Sequence, residues 1–337
     1  MKKSIVGIAA LAGGAALVCK NRKDYYKKYN ILPEYRTIFR FTFKKYMINK
    51  TCMDFMNKGL ENKISYPAGV TLCTRTIPTY DGTKIQVHIM EPENVAEDEV
   101  LPCLVYYHGG AYVMDLSASY FDLVSNYVKQ ARCKVVMPNY RTLYKATADA
   151  CFEDAYSTLV WTYENADILH IDKERIAVGG DSAGGGLTAA VTHMTRDRKG
   201  PEVCFQMMIY PAVDDSLSTE SMKKYTDSPI WNARANRKMW NEVKKSLSSE
   251  MERYASSLSN ENFTGLCNGY IEVEEFDCLH DEGKLYAEKL MENGYEVELN
   301  DVKGTFHGYD QSNGKLFGKQ IIELRSDRLR KAFLKEN

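Results

Sequence analysis

Short apolar runs alternate with longer amphipathic stretches over most of this 337-residue chain. Apolar runs of four to eight residues are typical of buried strands, whereas apolar residues spaced three or four apart indicate helices. The runs that predict strands are Leu101–Tyr107, Lys134–Met137, Arg175–Gly179, Val203–Tyr210, Tyr270–Phe276 and Glu296–Val302. The stretches that predict helices lie around 119–131, 150–165, 183–196 and 282–293. This alternation predicts an α/β fold, in which a mostly parallel central sheet carries helices on both faces.

Two regions depart from this alternation. Residues 31–75 are polar with scattered apolar positions, and their spacing is nearer to helical than to alternating, so we expect helices there. An Asp81-Gly82 turn then precedes Ile85, Val87 and Ile89, whose alternation with their neighbours predicts a hairpin strand. From 212 to 264 the chain is polar and helix-favouring, without a strand-like run. An insertion of this length between two strands is typical of a lid over a site.

Composition excludes several classes of protein. A net charge of −1 gives no electrostatic basis for binding nucleic acid, so we expect no nucleic-acid partner. The nine cysteines are odd in number and lack a C-x-x-C pair, which argues against a disulfide scaffold and favours a reducing compartment. The sequence has no H-E-x-x-H, no ligand-like spacing of His and Cys, and no G-x-G-x-x-G after a strand. We therefore expect no metal ion and no nucleotide cofactor.

The charge is unevenly distributed along the chain. Residues 1–50 contain twelve Lys or Arg and two acidic residues, and the run 4–19 is uncharged. A membrane anchor, a cleaved signal peptide and a buried helix are all consistent with this short run. Five basic residues interleaved with tyrosines follow the run within 20–28, whereas only Lys2 and Lys3 precede it. This asymmetry favours contact of residues 1–30 with a membrane surface and a body on the cytoplasmic side, with export as the alternative.

One motif carries a candidate nucleophile. Gly180-Asp181-Ser182-Ala183-Gly184 joins a strand-like run to a helical stretch. A G-x-S-x-G sequence in this context is typical of a nucleophile elbow, in which the serine lies on a sharp, strained turn and its neighbours must lack bulk. The motif by itself is equally consistent with an ordinary turn, so its meaning depends on partners for Ser182 elsewhere in the chain.

Three further strand ends carry groups that a serine nucleophile needs. In an open parallel sheet these ends lie at one edge, where ligands bind. His108-Gly109-Gly110-Ala111 follows one run, and its glycines let backbone N–H groups approach an oxyanion. Asp277 directly follows another run, whereas the nearby Asp281 is placed to begin the next helix, so we choose Asp277 as the acid. His307, between glycine-rich turns after the last run, is the candidate base.

Together these four motifs resemble the hormone-sensitive-lipase-like branch of the α/β-hydrolases, over about residues 79–310. The resemblance implies an α/β-hydrolase fold and an esterase that cleaves carboxylic esters through an acyl-enzyme intermediate. The residues it implies for the catalytic triad are Ser182, Asp277 and His307, and those for the oxyanion hole are Gly109, Gly110 and Ala183. It also implies a cap over the site, formed by residues of about 20–75 and 212–262.

The resulting domain prediction has three parts. Residues 1–22 are an anchor or signal-like segment, 23–75 are the N-terminal helical part of the cap, and 76–337 are the catalytic domain with a cap insertion at 212–262. Tyr112 beside the oxyanion loop and Trp231 in the insertion predict a closed, apolar substrate pocket for short or medium acyl chains.

Two other functions remain alternatives at this point. An amidase or peptidase could use the same triad, and a non-catalytic small-molecule-binding protein could retain the fold. The family commonly has a proline-containing turn after a Tyr-Arg pair, whereas Tyr140-Arg141 is followed here by 142–148 without a proline. Such a change alters loop rigidity near the pocket, and therefore affects substrate preference more than the chemistry.

Overall fold

The computed structural model describes residues 28–36, 42–60, 64–96, 98–311 and 316–334. The anchor or signal-like segment 1–22 lies outside these residues. Within them, eight strands form one sheet in the order β1-β2-β4-β3-β5-β6-β7-β8. The strands are β1 (Val70–Pro78), β2 (Lys84–Pro92), β3 (Leu101–Tyr107), β4 (Lys134–Pro138), β5 (Ile171–Asp181), β6 (Phe205–Ile209), β7 (Gly269–Glu274) and β8 (Val297–Val302).

The sheet is mostly parallel, as the sequence predicts. β1 and β2 form an antiparallel hairpin and β2 pairs antiparallel with β4, whereas all pairs from β4 across to β8 are parallel. The helices are α1 (Lys50–Leu60), α2 (Ala118–Ala131), α3 (Ala148–Glu164), α4 (Ala183–Asp197), α5 (Glu220–Lys224), α6 (Ala233–Val243), α7 (Ser249–Ala255), α8 (His280–Glu292) and α9 (Leu316–Leu334). None of these helices combines the length and the apolar character that crossing a membrane requires.

β3, β4 and β6 are predominantly apolar because both of their faces are covered. In β3, Leu104 and Tyr106 belong to a core cluster that also contains residues of α2 and α9. Their neighbours Cys103 and Val105 belong to a second cluster, with residues of α3 and α4. Successive side chains of a strand point to opposite faces, so a strand between two helical layers is a continuous apolar run. This burial explains why the runs in the sequence predicted the parallel strands.

The prediction of helices over 31–75 is wrong at its C-terminal end. Residues 33–35, 45–47 and 50–60 are helical, but Val70 begins β1, which pairs with β2 from Val70↔Pro92 to Pro78↔Lys84. β1 is the outermost strand, and most of its side chains are exposed. Since neither face of such a strand has to be apolar, its sequence carries no clear alternation.

The two segments predicted as a cap contact each other directly. Residues 212–264 contain α5, α6 and α7 and no strand beyond a single bridge between Thr42 and Ile230. The backbone N–H of Phe43 donates to the Ile230 carbonyl at 2.8 Å, and Asn232 Nδ2 donates to the Phe43 carbonyl at 2.9 Å. Thr42 Oγ1 donates to the Ser228 carbonyl at 3.0 Å. These hydrogen bonds join the N-terminal segment to the insertion.

Candidate active site

Ser182 lies on a strained turn between β5 and α4. Its backbone has φ 57° and ψ −120°, a conformation that costs a non-glycine residue about 1–3 kcal/mol. The turn is tight on both sides. A Cβ atom on Gly184 would lie 1.9 Å from the Tyr107 carbonyl oxygen, and one on Gly180 would lie 2.5 Å from the same atom. Both positions therefore require glycine, which gives the G-x-S-x-G spacing its physical cause.

The structure brings Ser182, His307 and Asp277 together at the carboxyl edge of the sheet. His307 Nε2 is 2.8 Å from Ser182 Oγ, and His307 Nδ1 is 2.6 Å from Asp277 Oδ2. The other carboxylate oxygen of Asp277 accepts a hydrogen bond from the Leu279 N–H at 3.0 Å. Asp277 is fully buried, whereas Ser182 and His307 are 9% and 5% exposed. Of these three side chains, a small molecule can therefore reach the Ser182 hydroxyl and the His307 imidazole.

The second candidate acid, Asp281, has different partners. Its Oδ1 is 2.8 Å from His280 Nδ1, and its Oδ2 accepts a hydrogen bond from the Ser221 N–H at 2.8 Å. Asp281 therefore fixes the start of α5 against the start of α8. These contacts leave Asp277 as the carboxylate beside His307.

Gly109 does not fit the role of oxyanion donor. Its N–H donates to Asp181 Oδ1 at 3.1 Å and to Tyr120 Oη at 2.9 Å, so this donor is already occupied. Neither of these two hydrogen bonds was predicted from the sequence. In the part of the chain that the structure describes, the N–H groups of Gly110 and Ala111 make no hydrogen bond to protein. Both residues border the cavity beside Ser182, and Ala111 has φ 56°.

Asp181 holds the loop that contains these donors. Besides Gly109, it accepts hydrogen bonds from Tyr106 Oη at 3.0 Å and from Tyr120 Oη at 2.7 Å. Burial raises the pKa of this carboxyl to about 6, against the lowering effect of the hydrogen bonds from Tyr120, Tyr106 and Gly109. A Cβ atom on Gly109 would lie 2.6 Å from Asp181 Oδ2, so only glycine allows this close approach.

A cavity of about 190 Å³ opens beside Ser182 and His307. Its apolar wall is formed mainly by both predicted cap segments and by the loop after β3: Phe43, Ile48, Met53, Val113, Met114, Ile230 and Trp231. Trp231 therefore lies where the sequence predicted it. A larger hollow of about 740 Å³ lies at the opposite edge, beside the first residues of β6, β7 and β8, and contains no residue of the Ser182 site.

Tyr112 does not line this cavity, contrary to the expectation from its position beside the oxyanion loop. It is 1% exposed, and its ring lies 5.5 Å from the ring of Phe152 and 6.3 Å from that of Trp240. Its φ of 58° turns the chain at this point, and Val113 and Met114 line the cavity instead. Tyr112 is therefore part of the core beneath the site.

Tyr210 is a cavity residue that the sequence analysis did not identify. It follows β6 directly, at a φ of 38°, and its ring centroid lies 4.6 Å from that of His307. The position at the carboxyl end of a strand is the one signal that could have indicated it.

Among the described residues, no group of three or more His, Cys, Asp or Glu side chains is placed to hold a metal ion.

The known proteins that this chain resembles in sequence include α/β hydrolases with esterase names. A family model described as alpha/beta hydrolase fold matches residues 104–311. The chain is 33% identical to Carboxylesterase NlhH of Mycobacterium tuberculosis over 234 residues, which covers 68% of this chain and 73% of the relative. It is 30% identical to Esterase LipI of the same organism over 227 residues, covering 67% and 71%.

Solved structures agree with these relatives. A bacterial heroin esterase superimposes with a TM-score of 0.81 at 28% identity, covering 90% of this chain and 98% of that chain. A hyperthermophilic esterase from Pyrobaculum calidifontis superimposes with a TM-score of 0.77 at 27% identity, covering 89% and 98%. The chain therefore belongs to the α/β-hydrolase family, within its hormone-sensitive-lipase-like branch of carboxylesterase-like enzymes.

Proposed function

We propose that this protein is a serine carboxylesterase in which Ser182 is the nucleophile, His307 the general base and Asp277 the acid that orients it. The observation that supports this proposal is the continuous hydrogen-bonded row from Ser182 Oγ through both ring nitrogens of His307 to Asp277 Oδ2. The row lies beside an apolar cavity at the edge of the sheet where ligands bind in such folds.

Each residue has a defined step in the proposed reaction. Ser182 Oγ attacks the ester carbonyl carbon while His307 Nε2 accepts the hydroxyl proton, and the carbonyl π electrons move to oxygen. Collapse of the tetrahedral intermediate breaks the bond to the alcohol, which takes the proton from His307 and leaves an acyl-enzyme. Water then attacks the acyl carbon in the same way and releases the acid. Asp277 keeps Nδ1–H directed away from Ser182 and stabilises the imidazolium.

The proposed oxyanion hole differs from the one first expected. Because the Gly109 N–H is occupied by Asp181 and Tyr120, we assign the donors to the N–H groups of Gly110, Ala111 and Ala183. Gly109 and Asp181 then act by holding the loop in place. Loss of one such donor typically costs about 10²–10³-fold in rate.

The reaction class can be tested with two chromogenic substrates. We expect the protein to hydrolyse p-nitrophenyl acetate and to hydrolyse the corresponding p-nitroanilide far more slowly, because the anilide leaving group is a much stronger base. Comparable rates on both substrates would indicate an amidase. Binding of ester without turnover of either substrate would indicate a non-catalytic binding protein.

The cavity size predicts a preference for short or medium acyl chains. A volume of about 190 Å³ leaves little room beyond a short acyl group, so kcat/KM should peak between acetyl and hexanoyl p-nitrophenyl esters. Each further methylene that stays within the apolar wall contributes about 0.8 kcal/mol, or about fourfold in kcat/KM. Higher activity on emulsified long-chain triglycerides would contradict this prediction.

A substitution of Met53 tests whether the cavity wall sets the preferred acyl-chain length. Met53→Ala should move the preferred acyl chain to a longer one, because it removes wall atoms from the cavity. Met251, which is buried in α7 and does not line the cavity, gives the matched control. Met251→Ala should lower the stability without changing the preferred chain length.

We also propose that residues 1–30 attach the protein to a membrane surface, with the body on the cytoplasmic side. Basic residues and tyrosines dominate 20–29, and exposed residues of the same kind follow in the described structure, namely Lys44, Lys45, Tyr46 and Phe55. Lysine side chains favour anionic headgroups, and aromatic side chains favour the membrane–water interface.

Removal of the chain before Asp24 should therefore shift the protein from the membrane fraction to the soluble fraction and leave its esterase activity intact. The side of the membrane is tested by labelling Cys73, which is exposed, with an impermeant thiol reagent in intact cells. Labelling from outside, or a mature N-terminus after Ala12, would mean export.

A further inference from the structure

A fully buried arginine lies in the middle of the C-terminal helix, beneath the candidate active site. Arg325 of α9 is 0% exposed, and its Nη1 donates to Asp310 Oδ2 at 2.5 Å. Its Nε and Nη2 donate to the two carboxylate oxygens of Glu272 on β7. Burying three charges is costly, and such a group contributes little net stability compared with apolar residues of similar size. Stability alone therefore does not account for this cluster.

One residue, Tyr210, connects the cluster of Arg325, Glu272 and Asp310 to His307. Asp310 Oδ1, the oxygen that does not contact Arg325 Nη1, accepts a hydrogen bond from Tyr210 Oη at 2.6 Å. The Tyr210 ring in turn packs on the imidazole of His307, with ring centroids 4.6 Å apart and an interplanar angle of 51°. The N–H of Tyr210 donates to the Glu272 carbonyl at 2.8 Å. Tyr210 is thus fixed at both its backbone and its hydroxyl.

We propose that Tyr210, Asp310 and Arg325 form a positioning unit that sets the orientation of the His307 ring. The proposal rests on the assignment of His307 as the general base. That role requires Nδ1 to face Asp277 and Nε2 to face Ser182 at the same time, which allows little rotation of the ring. The Tyr210 ring packs against the imidazole, with ring centroids 4.6 Å apart, and Asp310 and Arg325 hold Tyr210 in place. The C-terminal helix thereby contributes to catalytic geometry through Arg325, which lies 18 residues after His307 in sequence.

The same cluster has a second arm that does not contact His307. Tyr270 Oη donates to Glu272 Oε2 at 2.6 Å, and Tyr309 Oη donates to Glu272 Oε1 at 3.1 Å. Tyr270 is as deeply buried as Tyr210 and makes a hydrogen bond of equal length to a carboxylate of the same cluster. It therefore offers a matched control, because loss of its hydroxyl weakens the cluster without releasing Tyr210.

The test compares Tyr210→Phe with Tyr270→Phe in the full-length protein, with kcat and KM for p-nitrophenyl acetate measured separately. Misplacing a catalytic group by about 1 Å can cost about 10²-fold in rate. We expect Tyr210→Phe to lower kcat by about tenfold or more with KM within about twofold, since the aromatic wall is retained. Tyr270→Phe should lower the melting temperature as much as Tyr210→Phe does, but it should leave kcat within about twofold of the wild-type value.

A double-mutant cycle tests whether the residues act as one unit. Asp310→Asn should lower kcat as Tyr210→Phe does, and the double variant should lose no more than the larger single loss, because both changes release the same ring. Wild-type kcat in both single variants would overturn the proposal. So would additive losses in the double variant, or an equal loss of kcat in Tyr270→Phe.

The outcome also separates this proposal from the proposed function. If Ser182→Ala is inactive while Tyr210→Phe and Asp310→Asn keep full kcat, only the positioning role fails. If Ser182→Ala keeps full activity, the assignment of the active site fails first. Should Asp310→Asn not fold, Tyr210→Phe, which removes one oxygen atom and no charge, decides the question together with its control.

Discussion

Replacement of Ser182 by alanine is expected to abolish ester hydrolysis and to leave the fold intact. Without the hydroxyl no acyl-enzyme forms, and losses of a serine nucleophile in such triads reach about 10⁶-fold in kcat. Alanine keeps a Cβ atom, so the strain at φ 57° is unchanged. The Ser182 N–H, which donates to the Ile209 carbonyl at 2.9 Å, is also retained. The melting temperature should therefore stay close to that of the unmodified protein.

Two measurements check this result. The first is kcat on p-nitrophenyl acetate, and the second is covalent labelling by a fluorophosphonate, followed by mass spectrometry of the intact protein. Ser257→Ala is a suitable control, since Ser257 is fully buried and its hydroxyl donates to the Tyr254 carbonyl, away from the cavity. That variant should be labelled normally. Labelling that persists in Ser182→Ala would place the nucleophile elsewhere.

Asp277→Asn is expected to lower kcat by about 10⁴-fold, the loss found when the carboxylate of such a triad becomes an amide. The carboxylate accepts a hydrogen bond from His307 Nδ1–H, with Nδ1 and Oδ2 2.6 Å apart. An amide can instead donate a hydrogen bond to Nδ1, which favours the tautomer with its proton on Nε2. Nε2 can then no longer accept the proton of Ser182. The loss should therefore appear in kcat while substrate binding persists.

Asp281→Asn is the matched control, four residues further along the chain at the start of α8. Asp281 contacts His280 and the Ser221 N–H, so Asp281→Asn should lower kcat by less than about tenfold. This smaller loss would arise from weaker anchoring of the start of α5. Steady-state kinetics on both variants rank the two acids. A larger loss in Asp281→Asn than in Asp277→Asn would reverse the assignment.

The fold was predictable where burial dictated the sequence. β3, β4, β6 and β7 are buried along their whole length and most of their residues are apolar, so their sequences indicate strands directly. β1 has the opposite property. Most of its side chains are exposed, its pairing with β2 depends on backbone groups, and any polar sequence of suitable propensity can fill it. Its pattern therefore resembled that of the helical residues before it.

The site was predictable where a motif is local, and not where it depends on distant contacts. The positions of Ser182, Asp277 and His307 follow from strand ends that meet at one edge of a parallel sheet. The occupation of the Gly109 N–H depends on Asp181, which is 72 residues away in sequence. Arg325 and its carboxylate partners belong to no motif, because residues 15 and 53 positions apart meet only in the folded chain.

The cavity wall and the proposed catalytic residues come from different parts of the chain. Phe43, Ile48 and Met53 belong to one covering segment and Ile230 and Trp231 to another, whereas Ser182, Asp277 and His307 follow strands of the sheet. Substitutions in the two covering segments change which molecules fit without altering the groups that react. Selection for a new substrate can therefore act on the codons of these two segments while the proposed catalytic residues stay constant. The same division makes these segments the natural targets for random libraries in directed evolution of new substrate preferences.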